Sequence, residues 1–343
     1  MQFGLVSVSA LPSRHIMSSK DAFDYSMKAS KVAQECGFDA IGLSNKYLSG
    51  PAHQFLTPFS MAAHLFAKCP GMYVMTNVFL LPYANPVAVA EEVATLDMMA
   101  PGKFLFGVGQ GYRKDESYAF KVPDSERARR TTEAVAAIRL LWKEAPATFK
   151  GEFYQFENAD IGIKPVNGKG PPIIFAADRV KSVARIPERG GDHWIPSARH
   201  SKHFLREALP VYREALERAG KPFKGIPLIR DICVAQNRKA AEALVRESIT
   251  DYLHRQSGWG QPGERYDLSF DEIKQERIIL GTSEEAATEL IELYREFGAK
   301  FVTFRVYTPG MDTERALDVV RQIGNEVIPM VQKEVGKASM WKD

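Results

Sequence analysis

Short apolar runs alternate with amphipathic stretches along the whole chain. Phe3 to Val8 predicts a strand, and Asp21 to Cys36 an amphipathic helix closed by Gly37. "FDAIGL" predicts the next strand, Pro58 to Ala67 a helix, and "MYVMTNVFL" a third strand. In "NPVAVAEEVATLDMM" Asn85 sits at the N-cap and Pro86 at the first helical position, a strong helix start. "KFLFGVG" predicts a fourth strand. Further strand–helix pairs are "PPIIFA" with Arg179 to Arg189, "DHWIP" with Lys202 to Ala219, and "PLIRDICVA" with Arg238 to His254. "FVTFRVY" with Thr313 to Val335 comes last.

Strands that alternate with helices imply a parallel sheet, because each crossover returns the chain to the same edge. Eight such strands over the whole length predict an α/β fold, a (β/α)8 TIM barrel forming one domain over 1–343. Insertions are expected after strand 4, where "TFKGEFYQFEN" reads as a hairpin, and before strand 8. There 254–275 reads as a long loop and active-site lid. The stripes Val135, Ile138, Leu141 and Leu290, Leu293, Phe297 predict helix faces packed in the core.

"GVGQGY" raises a choice. Gly107, Gly109 and Gly111 imitate a dinucleotide fingerprint, but the final glycine is replaced by Tyr112 and no acidic residue closes the next strand. A strand end at a barrel mouth fits better. The glycines there either let a ligand approach the backbone or relieve crowding inside the barrel.

Composition narrows the partners. The 343 residues are 45% hydrophobic, enough for a large core, and no apolar run is long enough to span a bilayer. A net charge of +3 without a basic block gives no sign of nucleic-acid binding. Cys36, Cys69 and Cys233 show neither metal-ligand nor disulfide spacing, and the first residues lack the features of a signal peptide. A cytoplasmic protein without a metal is expected.

The segments "GFDAIGL", "MTNVFLLPYANPVAVAEEVATLDMMAPGKFLFGVGQGY", "ATFKGEFYQFEN" and "GTSEEAATELIELYREFGAKFVTFRVYTPGM" resemble, in order, the bacterial luciferase-like flavin monooxygenases. The resemblance implies a barrel with flavin at the C-terminal mouth. It implies reduced FMN supplied by a separate flavin reductase, O2 and a small organic substrate, and a homodimer. Some relatives use a deazaflavin for hydride transfer instead, and others bind flavin without turnover; both remain alternatives.

The resemblance also implies site residues. A non-proline cis peptide falls at Asn77–Val78, with Asn77 at the pyrimidine edge of the flavin and Thr76 helping to orient the ring. Asp178, Arg179 and Ser182 in "AADRVKS" match phosphate-side positions, where a helix start favours an anion. A simple N-cap is the alternative. Gln110 stands where some relatives place an arginine, and Tyr112 follows it. The main departure is "LSNKYLSGPAHQF". Where many relatives have Glu-His-His, this chain has Asn45, Lys46 and Tyr47. Lys46 stands at the histidine position, and His53 could supply the lost imidazole. A lysine moves protons near neutral pH only if burial lowers its pKa; otherwise it could steady an anionic substrate or an oxygenated flavin. Arg230 and Arg305, inside apolar strands, must pair with an acid or face a polar cavity. Trp194 is expected at the mouth or in the core, and Trp259 in the lid.

Overall fold

The computed structural model describes residues 1–6, 18–50, 55–258, 268–306 and 311–341. In chain order the elements begin β1 (Gln2–Val6), α1 (Ser19–Glu35), β2 (Ala40–Leu43), α2 (Pro58–Lys68), β3 (Tyr73–Thr76), β4 (Phe79–Leu80), α3 (Pro86–Met99) and β5 (Phe104–Gly109). Then come α4 (Lys114–Ala119), α5 (Arg127–Lys143), the antiparallel pair β6 (Ala147–Lys150) and β7 (Gln155–Ala159), β8 (Ile173–Ala176), α6 (Val180–Val183), β9 (His193–Ile195) and α7 (Lys202–Arg218). The chain continues through β10 (Ile226–Val234), α8 (Arg238–Gly258), α9 (Phe270–Arg277), β11 (Ile278–Gly281), α10 (Ser283–Phe297), β12 (Ala299–Arg305), α11 (Thr313–Gln322) and α12 (Ile328–Val335).

One curled parallel sheet runs β11-β10-β12-β1-β2-β3-β5-β8-β9, with β4 added beside β5. Its strands carry apolar residues on both faces, and β5 is buried at every position, as a parallel sheet covered by helices requires. Outside the sheet, helix stripes such as Leu290, Leu293 and Phe297 fill the larger core. Inside the curl lies a second cluster of Ala40, Tyr73, Met75, Leu105, Ile174, Ile195, Phe301 and Met340. Each fully buried large side chain in these layers contributes roughly 1.5–3 kcal/mol. Met340 and Trp341 close the end opposite the site; the Trp341 ring meets His193 and Phe301 edge-on at 5.2 and 5.1 Å. Burial lowers the pKa of His193 to about 4.

Local chemistry explains most boundaries. Asn85 caps α3 through its Oδ1, which accepts from the Val87 amide at 2.9 Å. Thr282 and Glu285 form a capping box at α10, and Gly298 ends that helix at φ 67°.

Three expectations are corrected. The helix expected over Arg179 to Arg189 is only Val180–Val183, since Pro187 cannot continue the ladder. The expected loop 254–275 is helical at both ends: α8 runs to Gly258 and α9 begins at Phe270. Ser269 and Glu272 make a capping box that starts α9. Residues 259–267, with Trp259, lie outside the described residues. The strand β11 was not expected; it pairs in parallel with the second half of β10. Among the described residues no helix is long and apolar enough to cross a membrane.

Candidate active site

The C-terminal strand ends bring the expected residues to one side of the sheet. At β3 the chain turns at an Asn77–Val78 peptide bond that is cis. Backbone and side chains here lie close against the neighbouring strands, and glycines make the room. A Cβ on Gly107 would overlap the Thr76 carbonyl, one on Gly109 the Val78 side chain, and one on Gly42 the Asn77 carboxamide. Gly107 and Gly109 therefore relieve crowding inside the sheet. The space they leave is filled by the chain itself, not by a ligand.

Thr76 is committed in the same way. Its hydroxyl donates to the Gly107 carbonyl at 2.7 Å and is fully buried. It fixes β3 against β5 rather than reaching a ring. Asn77 differs. Its amide donates to the Leu43 carbonyl at 2.6 Å, yet among the described residues neither its Oδ1 nor its Nδ2 finds a partner, although both are buried. Across Gly42 lies Thr303, whose buried hydroxyl is also without a partner there.

A donor and an acceptor side by side match the pyrimidine edge of a flavin, which offers the reverse pair. The chain's residues thus fit a flavin-type ring, and they fit FMN and a deazaflavin alike, because the two share that edge.

The second strand end is held by the fifth. Asn45 accepts from the Leu80 amide at 3.1 Å, which ties β2 to β4. The Arg113 guanidinium donates to the carbonyls of Tyr47 and Leu48 at 2.8 and 3.0 Å and pairs with Asp115. Glu116, 1% exposed, accepts from the Tyr47 amide at 2.9 Å. Burial raises the Glu116 pKa; the Tyr47 amide, Arg113 and Lys46 oppose the shift. Lys46 lies between two rings, with Nζ 5.5 Å from the centroids of Phe55 and Tyr112. Burial, reinforced by Arg199, Arg113 and Arg305, holds the Lys46 ammonium well below the usual lysine range, and Glu116 opposes this. His53 lies outside the described residues.

At β8, Asp178 is half-buried and its Oδ1 is 3.2 Å from His200 Nε2. The Ser197 amide donates to His200 Nδ1 at 3.2 Å, while Nε2, though near the carboxylate, makes no hydrogen bond among the described residues. Arg179 is exposed, while Ser182 and Gln110 are half-buried. The one-turn α6 gives this corner little helix dipole. Arg305 grips Asp231 with two contacts of 2.7 and 2.5 Å, the ion-pair alternative for that residue. Arg230, 1% exposed, donates to the Ile229 carbonyl. Trp194 is fully buried among Phe204 and Tyr212; it is core.

Sequence reasoning missed Glu116, Arg113 and His200. Glu116 and Arg113 lie in "YRKDES", which reads as solvated charge. Only their positions just past a strand end mark them.

The chain is 27% identical over 329 residues to the F420-dependent glucose-6-phosphate dehydrogenase of Kribbella flavida, covering 92% of this chain and 95% of that one. Among solved structures it resembles the monooxygenase RslO1 of Streptomyces bottropensis, with a TM-score of 0.85, 21% identity, and 96% and 99% of the two chains covered. It also resembles an F420-dependent secondary alcohol dehydrogenase bound to an F420–acetone adduct, with a TM-score of 0.76, 21% identity, and 96% and 98% covered. The model of the luciferase-like monooxygenase family matches residues 1–300, and the chain belongs to that family.

Proposed function

We propose that this protein is a deazaflavin-dependent oxidoreductase that moves a hydride between a small hydroxylated substrate and the cofactor. The observation that carries this is the similarity, along nearly the whole chain, to an F420-dependent dehydrogenase. The curled sheet is read as a (β/α)8 barrel, with β6–β7 and the α8–β11 segment as its insertions.

The anion corner supports the same choice. Asp178 adds a negative charge next to Arg179 in the chain, and Gln110 brings a neutral amide. A phosphate monoester such as FMN carries about two charges near neutral pH, and this corner suits it poorly. The phosphodiester of an F420-type cofactor carries one. The bound cofactor supplies the hydride-accepting carbon. The chain's own residues do the rest. Asn77 holds the pyrimidine edge, Val78 backs the ring, Arg179 and Ser182 meet the phosphate, and Lys46 and Tyr112 face the substrate side.

The reading expected from the resemblance, a two-component monooxygenase using reduced FMN and O2, is second. The family's own description favours it. Anaerobic titration of the protein with F420, FMN and reduced FMN separates the two, followed by turnover with alcohols and sugar phosphates. F420 should bind most tightly and be reduced without oxygen. Tight binding of reduced FMN with product formed only in O2 would reverse the order.

A further inference from the structure

The dehydrogenase reading leaves a proton unassigned. When a carbinol is oxidised, its C–H bond breaks with both electrons leaving as hydride for the cofactor. The O–H bond breaks as the carbonyl forms, and its proton needs an acceptor. The histidine expected at the end of the second strand is absent: position 46 is lysine. We propose that the Lys46 amine accepts this proton, with the buried Glu116 carboxylate behind it as a positioning residue. The proposal rests on the hydride-transfer reading of the site.

Three features of the geometry support it. Lys46 follows β2, whose Leu43 is paired with Thr76 of β3, so it leaves the strand end beside the one that carries Asn77. Its Nζ is 5.5 Å from the ring centroids of both Phe55 and Tyr112, which fixes where the amine sits. The loop that carries it is clamped at Tyr47 and Leu48 by Arg113 and Glu116, so the amine is placed by the scaffold.

The surrounding charges favour an amine over an ammonium. Arg199 follows β9, Arg113 follows β5, and Arg305 ends β12; all three push the proton off Lys46, and burial pushes harder. Asp231 of β10 is occupied by Arg305, and Asp115 by Arg113. Glu116 alone among these groups draws the proton back. Lys46 can then take a proton from substrate and hold it as an ammonium, the form that the Glu116 charge favours. The free amine is the form present above the lowered pKa. Activity in the oxidative direction should therefore fall as pH drops through that pKa.

The test reads Lys46 directly in the cofactor-free full chain. Protein labelled with 13C at lysine Cε is titrated by NMR, and Lys46→Met assigns the resonance by its loss. Lys46 should titrate well below the other lysines. Glu116→Gln keeps an acceptor for the Tyr47 amide but removes the charge, so it should move the titration lower still and carry the acid limb of kcat with it. In turnover, Lys46→Ala should lose about 10²–10⁴-fold in rate, retain cofactor affinity, and recover with added small primary amines according to their basicity. A Lys46 that titrates with the other lysines, or an alanine variant that no amine rescues, would overturn the role. Failure of wild-type protein to bind or reduce F420 would overturn the dehydrogenase reading instead, and leaves the titration result intact.

Discussion

Two asparagines stand at the ends of neighbouring strands, and the fold treats them in opposite ways. Asn45, 6% exposed after β2, gives its oxygen to the Leu80 amide. Asn77, directly after β3, is left with both ends of its buried carboxamide unanswered among the described residues. A buried polar group without a partner costs about 1–3 kcal/mol. A fold tolerates that where a ligand completes the set. The first asparagine serves the scaffold, and on the function proposed above the second is kept for the cofactor, although the sequence presents both as strand-end residues of one site.

The difference can be broken at its base. Gly107→Ala drives a methyl into the Thr76 carbonyl, which is backbone and cannot swing aside. A loss of about 3 kcal/mol in urea unfolding is expected, together with cofactor binding. A fully stable Gly107→Ala protein would mean that the third strand end is free to shift.

Asn45→Ala should come next. It leaves the Leu80 amide buried and unpaired, for a loss of roughly 1–3 kcal/mol in stability. Cofactor affinity measured on the folded fraction should change little. A variant with wild-type stability and weak binding would exchange the roles of the two asparagines.

Asn77→Ala should do the reverse. Cofactor-free protein should keep or raise its melting temperature, since the change removes an unpaired carboxamide and breaks no described side-chain bond, while cofactor affinity should drop roughly tenfold, about 1.4 kcal/mol. Calorimetry with and without F420 reads both numbers.

Thr303→Val is the mildest. It removes a fully buried hydroxyl that has no described partner and keeps its shape, so stability should rise by less than about 1 kcal/mol. A drop in cofactor affinity with this variant would place Thr303 beside Asn77 as a ligand contact.

The legible parts of the chain were those governed by local chemistry. Asn85–Pro86 marks a helix start whatever surrounds it, and the β6–β7 pair announces itself in "TFKGEFYQFEN". The capping box at Ser269–Glu272 was equally local, but it follows a glycine-rich stretch that reads as loop, and α9 was lost with it. β11 was hidden because its apolar run, Ile278–Gly281, is only four residues between two helices. The glycines of "GVGQGY" left ligand approach and relief of crowding both open, because what fills them comes from a strand some thirty residues earlier. Asn77, Lys46 and Asp178 could be named from the resemblance. What each touches depends on loops that meet only in three dimensions, which is why Glu116, Arg113 and His200 went unseen.

The ties from Arg113 and Glu116 to Tyr47 and Leu48 have a consequence for anyone recombining this protein with its relatives. The loop after β2 keeps its shape by borrowing hydrogen bonds from the segment after β5, and Tyr47 packs on Phe120 at 4.6 Å from that same segment. A crossover placed between residues 50 and 110 would separate a lock from its key. Residues 44–50 and 110–120 have to be inherited together, as one cassette, if a chimera is to keep the chemistry of either parent.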